Sequence, residues 1–413
     1  MKTGDGFADV VITAVVSTTS LAPNAEETWQ YLLEGRSGIH VLDYPFVAEF
    51  KSPVRIGGPL QENLDEHLNR VELRRLSYMQ KMSVVLGRRL WETAGTPEID
   101  TRRLTVSIGI ALGSTQEIPQ QYDAWQEKGL RAVSPLAVQM YMPNAPAAAV
   151  GLDHQAKAGI ISPVMADASG GAAIAHAWRQ LVLGEADVAI CGGVETRIEA
   201  VPVAAYWRSG LLSTNNDDPS GACRPFDKDR DGMVLGEGGA MMLIETEAHA
   251  KARGAPILAR VMGAAMTSDG YDPIKPNPSG EAAGDAIARA IELAGLTRTD
   301  IDHINANATG TTLGDLAEAR AIGRAFGDHT PVVYAPKAAL GHSLGGAGAV
   351  EAVVTVQSLR DGVVPPTLNL KDLDPEIEMD VVSGQARRAD YHYAVSNSFG
   401  IGGYNVAVVF GAY

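Results

Sequence analysis

The sequence predicts an α/β protein in which helices cover strands that are largely buried. Short apolar runs with the composition of strands alternate with longer segments in which alanine and leucine recur at helical spacing. The 413 residues are 46% hydrophobic and include 44 glycines, which suits a large core with helices packed closely on sheets. A chain of this length exceeds one ordinary core, so it holds either two fused α/β halves or two to three separate domains.

The first strand is predicted at residues 10–16, an apolar run that follows a short charged stretch. That pattern is not a signal peptide, and no run in the chain reaches about eighteen apolar residues, so we expect no membrane span. The two cysteines, Cys191 and Cys223, provide no disulfide framework. We therefore expect a cytoplasmic protein.

One strand–turn–helix unit places Asp167 between a predicted strand and a predicted helix. The apolar run at residues 160–166 predicts a buried strand, and Asp167 occupies the turn that follows. Residues 168–183 then place apolar side chains at helical spacing until Gly184 ends the helix. At about 100° per residue, Ser169 faces away from Asp167 on that helix.

Similar units follow along the chain. A strand at residues 188–191 runs into a glycine pair, and strands at 301–306 and 332–335 each lead through a glycine-containing loop into a helix. Loops that leave several strand ends can converge on one site. Residues 273–280 contain three prolines and predict a surface excursion.

The charge pattern limits the partners. A net charge of −15 argues against nucleic acid or an anionic membrane. Six basic residues nonetheless form a local cluster that either is a solvated helix face or meets an acidic carrier protein. They are Arg70, Arg74, Arg75, Lys81, Arg88 and Arg89.

Three motifs stand out. They are RPFDKDRDGMVLGEGG at residues 224–239, PKAALGHS at 336–343 and NSFGIGGYN at 397–405. Together they resemble the elongating β-ketoacyl-acyl-carrier-protein synthases, most of all the mycobacterial long-chain synthases of mycolic acid synthesis. The resemblance spans nearly the whole chain and includes residues 191–195.

This resemblance implies the fold and the partners. The family has the five-layered αβαβα thiolase fold, and we expect two similar fused halves at residues 1–260 and 261–413. It implies an acyl carrier protein as partner, and a homodimer or a heterodimer with an active ketosynthase through the region before Asp167. No cofactor or metal is expected.

The family condenses acyl and malonyl thioesters. A cysteine at a helix N-terminus takes the acyl chain, because the helix dipole and free amides lower the thiol pKa and bind the oxyanion. Two histidines promote malonyl decarboxylation, and a lysine pairs with carboxylates to hold the site. In this sequence the cysteine position is Asp167 and the first histidine position is Asn307.

Other site residues match the family pattern. The resemblance assigns Thr309, Thr311 and Gly402 to pantetheine binding and channel gating, although Ile401, Gly310 and Thr312 depart from the usual residues. It assigns catalytic or supporting roles to Lys337, His342, Phe399, Asp315 and Glu351.

Asp167 has two interpretations. A helix N-terminus favours an anion, so we expect a lowered carboxyl pKa unless burial outweighs the dipole. We favour a helix cap, stabilising by about 1 kcal/mol, over covalent catalysis, which would give a reactive mixed anhydride and needs a base. A malonyl carboxylate about 4 Å away would be repelled by roughly 4 kcal/mol, which disfavours decarboxylation.

The leading hypothesis is a condensation-incompetent homologue that serves as partner or acyl-binding, chain-length-factor-like subunit in fatty-acid, mycolic-acid or polyketide elongation. One alternative is a malonyl decarboxylase or acyltransferase that uses His342 and Lys337. Another is a scaffold that binds acyl carrier protein without chemistry. His342 as a packing remnant and Asn307 as a loop cap remain open, and neither cysteine replaces the nucleophile.

Overall fold

The computed structural model describes residues 8–195 and 198–413. The strands in this part of the chain are β1 (Val10–Thr19), β2 (His40–Val41), β3 (Ile56–Gly57), β4 (Leu104–Gly109), β5 (Gly159–Ile161), β6 (Val188–Glu195), β7 (Gly238–Thr246), β8 (Ala259–Ser268), β9 (His303–Asn305), β10 (Val332–Tyr334), β11 (Val363–Val364), β12 (Asp380–Val381), β13 (Arg387–Arg388), β14 (Tyr393–Gly400) and β15 (Tyr404–Gly411).

The helices in the same part of the chain are α1 (Ala25–Leu33), α2 (Pro45–Glu49), α3 (Glu72–Arg75), α4 (Tyr78–Thr93), α5 (Glu117–Lys128), α6 (Ala137–Tyr141), α7 (Ala145–Asp153), α8 (Ser169–Val182), α9 (Ala200–Arg208), α10 (Pro219–Ala222), α11 (Glu247–Ala252), α12 (Glu281–Leu293), α13 (Thr312–Phe326), α14 (Lys337–Leu340) and α15 (Ala347–Asp361). No helix among the described residues combines the length and the apolar character that crossing a membrane requires.

Two five-stranded sheets share one topology. The first has the order β1-β7-β6-β4-β5 and the second β8-β15-β14-β9-β10, with β12 added at the far edge. Numbered along the chain within each half, both orders are 1-5-4-2-3. The sheets join where β1 pairs with β8 over three residues, from Val10 with Val261 to Ile12 with Ala259. The predicted two similar halves are confirmed, and the division after residue 260 stays a prediction.

The layers follow from the side-chain packing. Helices α8 and α15 lie between the sheets and contact strands of both, while α4 and α7 pack on the outer face of the first sheet and α12 packs on that of the second. The buried side chains of α13 join the same outer core as α12. This arrangement confirms the predicted five-layered αβαβα architecture.

Glycines allow the two inner helices to meet. A Cβ atom on Gly348 of α15 would lie 2.7 Å from the backbone nitrogen of Gly171 in α8. A Cβ atom on Gly170 would lie 2.8 Å from the nitrogen of Ala349. Any side chain at these positions would push the helices apart, and the helix starts that carry the site would separate with them.

Most predicted elements are present, with one error. The buried strand expected at residues 160–166 is wrong, because β5 covers only Gly159–Ile161 at the outer edge of the first sheet. Ile160 is 40% exposed there. Its apolar composition therefore reflects an uncovered edge strand rather than an interior one. Cys191 is buried in β6, as expected for a core residue.

Candidate active site at the junction of the two halves

A strained turn presents Asp167 in front of α8. Ala166 has a positive φ of 47°, a conformation that alanine rarely adopts. The hydroxyl of Ser169 holds this turn, since it accepts from the Met165 N–H at 2.8 Å and donates to the Ala166 carbonyl at 2.6 Å. Gly400 permits the end of β14 to approach, because a Cβ there would lie 2.9 Å from the Asp167 nitrogen.

The helix-cap interpretation of Asp167 is wrong. The N-cap position of α8 belongs to Ala168, which has no side-chain capping bond. The Asp167 carboxylate instead accepts a hydrogen bond from the Ile401 N–H. Its Oδ1 atom is buried and has no hydrogen-bond partner among the described residues. The carboxylate therefore faces the interior of the site and does not cap α8.

The Asp167 pKa is raised rather than lowered, which is the outcome expected if burial outweighs the helix dipole. Burial raises the pKa of this carboxyl to about 6, and the positive charge of Lys337 with the Ile401 N–H opposes the rise only in part. The side chain is 7% exposed, so loss of hydration outweighs the helix dipole. At neutral pH the group is mostly ionised, and it carries a negative charge with little compensation.

Lys337 organises the loop on the other side of the site. Its ammonium lies 2.6 Å from the Asn307 carbonyl oxygen and 3.3 Å from Asn307 Oδ1. It also lies 2.5 Å from Oε1 of Glu351 on α15. Because an ammonium only donates, Lys337 fixes the orientation of the Asn307 amide: Oδ1 faces the lysine, and the Nδ2 group is the opposite end.

Two carboxylates on α13 anchor the Asn307 loop. Glu318 accepts from the N–H groups of Asn307 at 2.8 Å and Ala308 at 2.6 Å. Asp315 accepts from Gly310 at 3.0 Å and from Phe226 at 2.8 Å. Sequence reasoning named Asp315 and missed Glu318, although the three-residue spacing places both on one face of the helix and could have revealed it.

His342 contributes an unused donor. The Leu344 N–H donates to Nδ1 at 3.1 Å, so the ring proton of the neutral imidazole lies on Nε2. Burial lowers the His342 pKa well below its ordinary value, and the charge of Lys337 adds to this. Nε2 lies 3.9 Å from Asp167 Oδ2 and has no hydrogen-bond partner among the described residues.

A channel leads from the protein surface to this cluster. Asp167 and Asn307 line its inner end, and Thr309, Thr311 and Phe399 line its wall. The two threonine hydroxyls lie 2.9 Å apart.

The outer part of the channel differs from expectation. Residues 273–280, predicted as a surface excursion, do lie at the surface but also contribute Ile274, Pro276 and Asn277 to the channel wall. Gly402 lies outside the set of lining residues and instead allows a positive φ of 85° beside Tyr404. Its role in substrate binding stays a prediction. Among the described residues, no cluster of three or more His, Cys, Asp or Glu side chains has a metal-binding arrangement.

The structure thus brings together residues from the loops after three strands. Asp167 follows β5, Asn307 follows β9, and Lys337 with His342 follows β10. Phe399 comes from the end of β14 and Glu351 from α15. Asp315 and Glu318 stand behind the Asn307 loop.

Family models match the chain over most of its length. The β-ketoacyl synthase N-terminal domain matches residues 8–250 and the C-terminal domain matches residues 258–371. A 3-oxoacyl-(acyl-carrier-protein) synthase 2 of Mycobacterium tuberculosis is 63% identical, over 100% of this chain and 99% of its own length. The corresponding synthase of Vibrio harveyi is 34% identical over 97% of this chain and 98% of its own length.

Solved structures agree. A β-ketoacyl synthase from Burkholderia phymatum superposes with a TM-score of 0.91 at 30% identity, covering 98% of this chain and 100% of its own. The ishigamide ketosynthase/chain length factor superposes with a TM-score of 0.89 at 28% identity, covering 99% and 100%. The chain therefore belongs to the β-ketoacyl synthase family and has its thiolase fold.

Proposed function

We propose that this protein binds acyl thioesters but does not condense them, and that it serves as an acyl-binding, chain-length-factor-like subunit in fatty-acid, mycolic-acid or polyketide elongation. One observation carries the proposal. A carboxylate, that of Asp167, stands at the inner end of the channel, where the resemblance to the family puts the cysteine nucleophile. An acyl-enzyme thioester needs a thiolate at that point.

No sulfur substitutes for it. Cys191 and Cys223 are both buried, and neither lines the channel. Burial raises the pKa of the Cys223 thiol to about 12, and its Sγ donates to the Lys337 carbonyl at 3.2 Å. A buried thiol that stays protonated and does not line the channel cannot attack a substrate there.

Buried hydrogen bonds around the channel support the proposed binding role. The channel reaches the site past Thr309 and Thr311, and Lys337, Glu318 and Asp315 hold its inner loop through buried hydrogen bonds. Buried polar networks of this kind fix one geometry at a cost in desolvation. A pocket kept in one geometry favours a binding role over a decayed relic.

The surface supports two partners. The outer edge of β5 is unpaired, and Ile160, Ile161 and Val164 are 37–47% exposed beside it, which suits pairing with a second ketosynthase-type subunit.

In the basic cluster, Lys81, Arg88 and Arg89 are neutralised by acidic neighbours.

Three other arginines of the basic cluster are available to bind an acyl carrier protein. The salt bridges formed within residues 8–195 and 198–413 include none of Arg70, Arg74 and Arg75, and all three are exposed. An acidic carrier protein would be attracted to such a surface at low ionic strength.

A second candidate is malonyl decarboxylation. The Nε2–H of His342 and the Nδ2 group of Asn307 are donors that could hold the enolate oxygen of a decarboxylating thioester. The charge on Asp167 opposes this, because it repels the malonyl carboxylate. We rank it second for that reason.

Titration of palmitoyl-acyl-carrier-protein against the purified protein tests the proposal. We expect saturable binding and no β-ketoacyl product when malonyl-acyl-carrier-protein is added. Thr311→Trp should abolish binding because the indole fills the channel. Thr246→Trp is the matched control, since Thr246 also caps a helix but lies outside the channel wall.

Each outcome separates the alternatives. β-Ketoacyl product at rates near those of an active synthase would refute the proposal. Carbon dioxide release from malonyl-acyl-carrier-protein would favour the decarboxylase. Binding of the carrier protein that Thr311→Trp leaves unchanged would leave only the scaffold.

A further inference from the structure

Asp167, at the inner end of the channel, and His342, which lies behind it, each have a buried polar atom that makes no hydrogen bond. Asp167 Oδ1 and His342 Nε2 are both buried, their residues are 7% and 1% exposed, and neither atom has a hydrogen-bond partner among the described residues. Most buried polar atoms in folded proteins are paired, so such an orphaned pair points to a ligand. The 3.9 Å between Asp167 Oδ2 and Nε2 is too long for a direct hydrogen bond.

The chemical roles of the two atoms differ. Because Nδ1 of His342 accepts from Leu344, Nε2 carries the proton and acts as a donor. Asp167, when ionised, only accepts. Asn307 adds a second donor, since Lys337 holds its oxygen and leaves the Nδ2 group on the other side. The cluster therefore combines one proton acceptor with two hydrogen-bond donors.

We propose that this cluster hydrolyses acyl-pantetheine thioesters, with Asp167 as general base. Asp167 removes a proton from water, and the resulting hydroxide attacks the thioester carbonyl carbon. The Nε2–H of His342 and the Nδ2–H of Asn307 hold the negative charge on the carbonyl oxygen. Collapse of the tetrahedral intermediate breaks the carbon–sulfur bond, and the thiolate takes the proton back from Asp167. One water and one thioester give one carboxylic acid and one thiol.

The electrostatics favour this reaction over decarboxylation. A carboxylate in this position repels a second carboxylate, but it does not repel a neutral thioester or water. Burial sets the Asp167 pKa near 6, and a general base works best with a pKa close to the operating pH. Lys337 does not compete for the proton, because Glu351 and Asn307 already engage its ammonium.

The inference rests on the proposed binding of acyl thioesters in this channel, so binding and hydrolysis are measured separately. Octanoyl- and palmitoyl-coenzyme A are incubated with the full-length protein, and thiol release is followed with a colorimetric thiol reagent. Binding of the same compounds is measured by calorimetry. We expect wild-type hydrolysis well above the buffer rate and a fall of about 100-fold or more in Asp167→Asn, the scale of a lost general base.

A second variant and a control keep the result interpretable. His342→Ala should lower hydrolysis by about 100-fold through loss of an oxyanion donor, and Asp285→Asn, an exposed site on α12, should match the wild type. Binding without hydrolysis, or hydrolysis that Asp167→Asn leaves unchanged, would overturn this inference and leave the proposed function standing. Absence of binding would overturn both.

Discussion

The Lys337 ammonium lies 2.5 Å from Oε1 of Glu351, and both side chains are 2% exposed. This buried ion pair joins α14 to α15 and thereby links the loop that carries His342 to the inner helix layer. Burial raises the pKa of Glu351 to about 7, and Lys337 opposes the rise. Each charge is stabilised by the other, because both side chains are almost fully buried.

Removing one partner should therefore be costly. Glu351→Gln leaves a buried ammonium without its counter-charge and should lower the free energy of unfolding by about 3–5 kcal/mol. The double change Lys337→Met with Glu351→Leu should recover most of that loss. Urea unfolding followed by circular dichroism measures both. A double variant no more stable than Glu351→Gln would show that the two side chains are not coupled.

Asp167→Asn should stabilise the protein at alkaline pH. The folded-state pKa of Asp167 is raised from 3.8 to about 6, so the fold favours the protonated form. This preference contributes fully below about pH 4 and is lost as the pH rises through about 6. The asparagine variant should exceed the wild type by up to about 3 kcal/mol near pH 8 and by roughly half of that near pH 5.

The pH dependence of this stability difference tests whether the Asp167 pKa is raised. Lys337 is the charged group that lowers the Asp167 pKa, and His342 beside it stays neutral. A stability difference that is constant from about pH 5 to about pH 8 would contradict the raised pKa. Asp285→Asn serves as the exposed control.

Restoring condensation should need two changes. Asp167→Cys supplies a thiol but leaves Asn307 where the resemblance puts a histidine, so we expect little β-ketoacyl product. Asp167→Cys with Asn307→His should give more than the two single changes together, because residues that act as a unit are not additive. Mass spectrometry of the acyl products measures this. Full recovery from the single cysteine change would show that Asn307 already suffices.

A charge on the free sheet edge should weaken the proposed dimer. Ile161→Arg places a guanidinium where β5 would meet its partner, and an unpaired buried charge costs several kcal/mol. We expect the dissociation constant to rise by about 100-fold or more in sedimentation experiments. Leu183→Arg, at an exposed position that follows α8, is the control. A wild-type protein that stays monomeric at all concentrations, both alone and mixed with an active ketosynthase, would contradict the interface.

Charge reversal in the basic cluster should weaken binding of the carrier protein. Arg74→Glu with Arg75→Glu should reduce the affinity by about tenfold at low salt and by less at high salt. The exposed Arg102→Glu is the control. An effect that is independent of ionic strength would argue against an electrostatic contact.

Strand-end loops and motif residues made much of the site predictable. Asp167, Asn307, Lys337 and His342 were assigned to loops that leave strands, and the structure gathers these loops at one cavity. Glu318 was not predicted, because it lies outside the three motifs and only the fold turns it toward the Asn307 backbone.

Tertiary packing explains the remaining errors. The capping role predicted for Asp167 followed from its place before a helix, as did the lowered pKa that was expected unless burial outweighed the dipole. The Ser169 hydroxyl takes the bonds of that turn, and burial removes the water around the carboxylate. The length of β5 was overestimated because an apolar run looks the same whether a strand is interior or lies at an uncovered edge.

The shared topology of the two sheets has a consequence for how the chemistry can change. β5 and β10 hold the same place in their halves, so the loop with Asp167 and the loop with His342 are counterparts that belong to different halves. The first half supplies the carboxylate of Asp167, and the second half supplies the donors of His342 and Asn307. Replacement of a single side chain in one half can therefore change the chemistry of the proposed site, while the residues from the other half keep their arrangement.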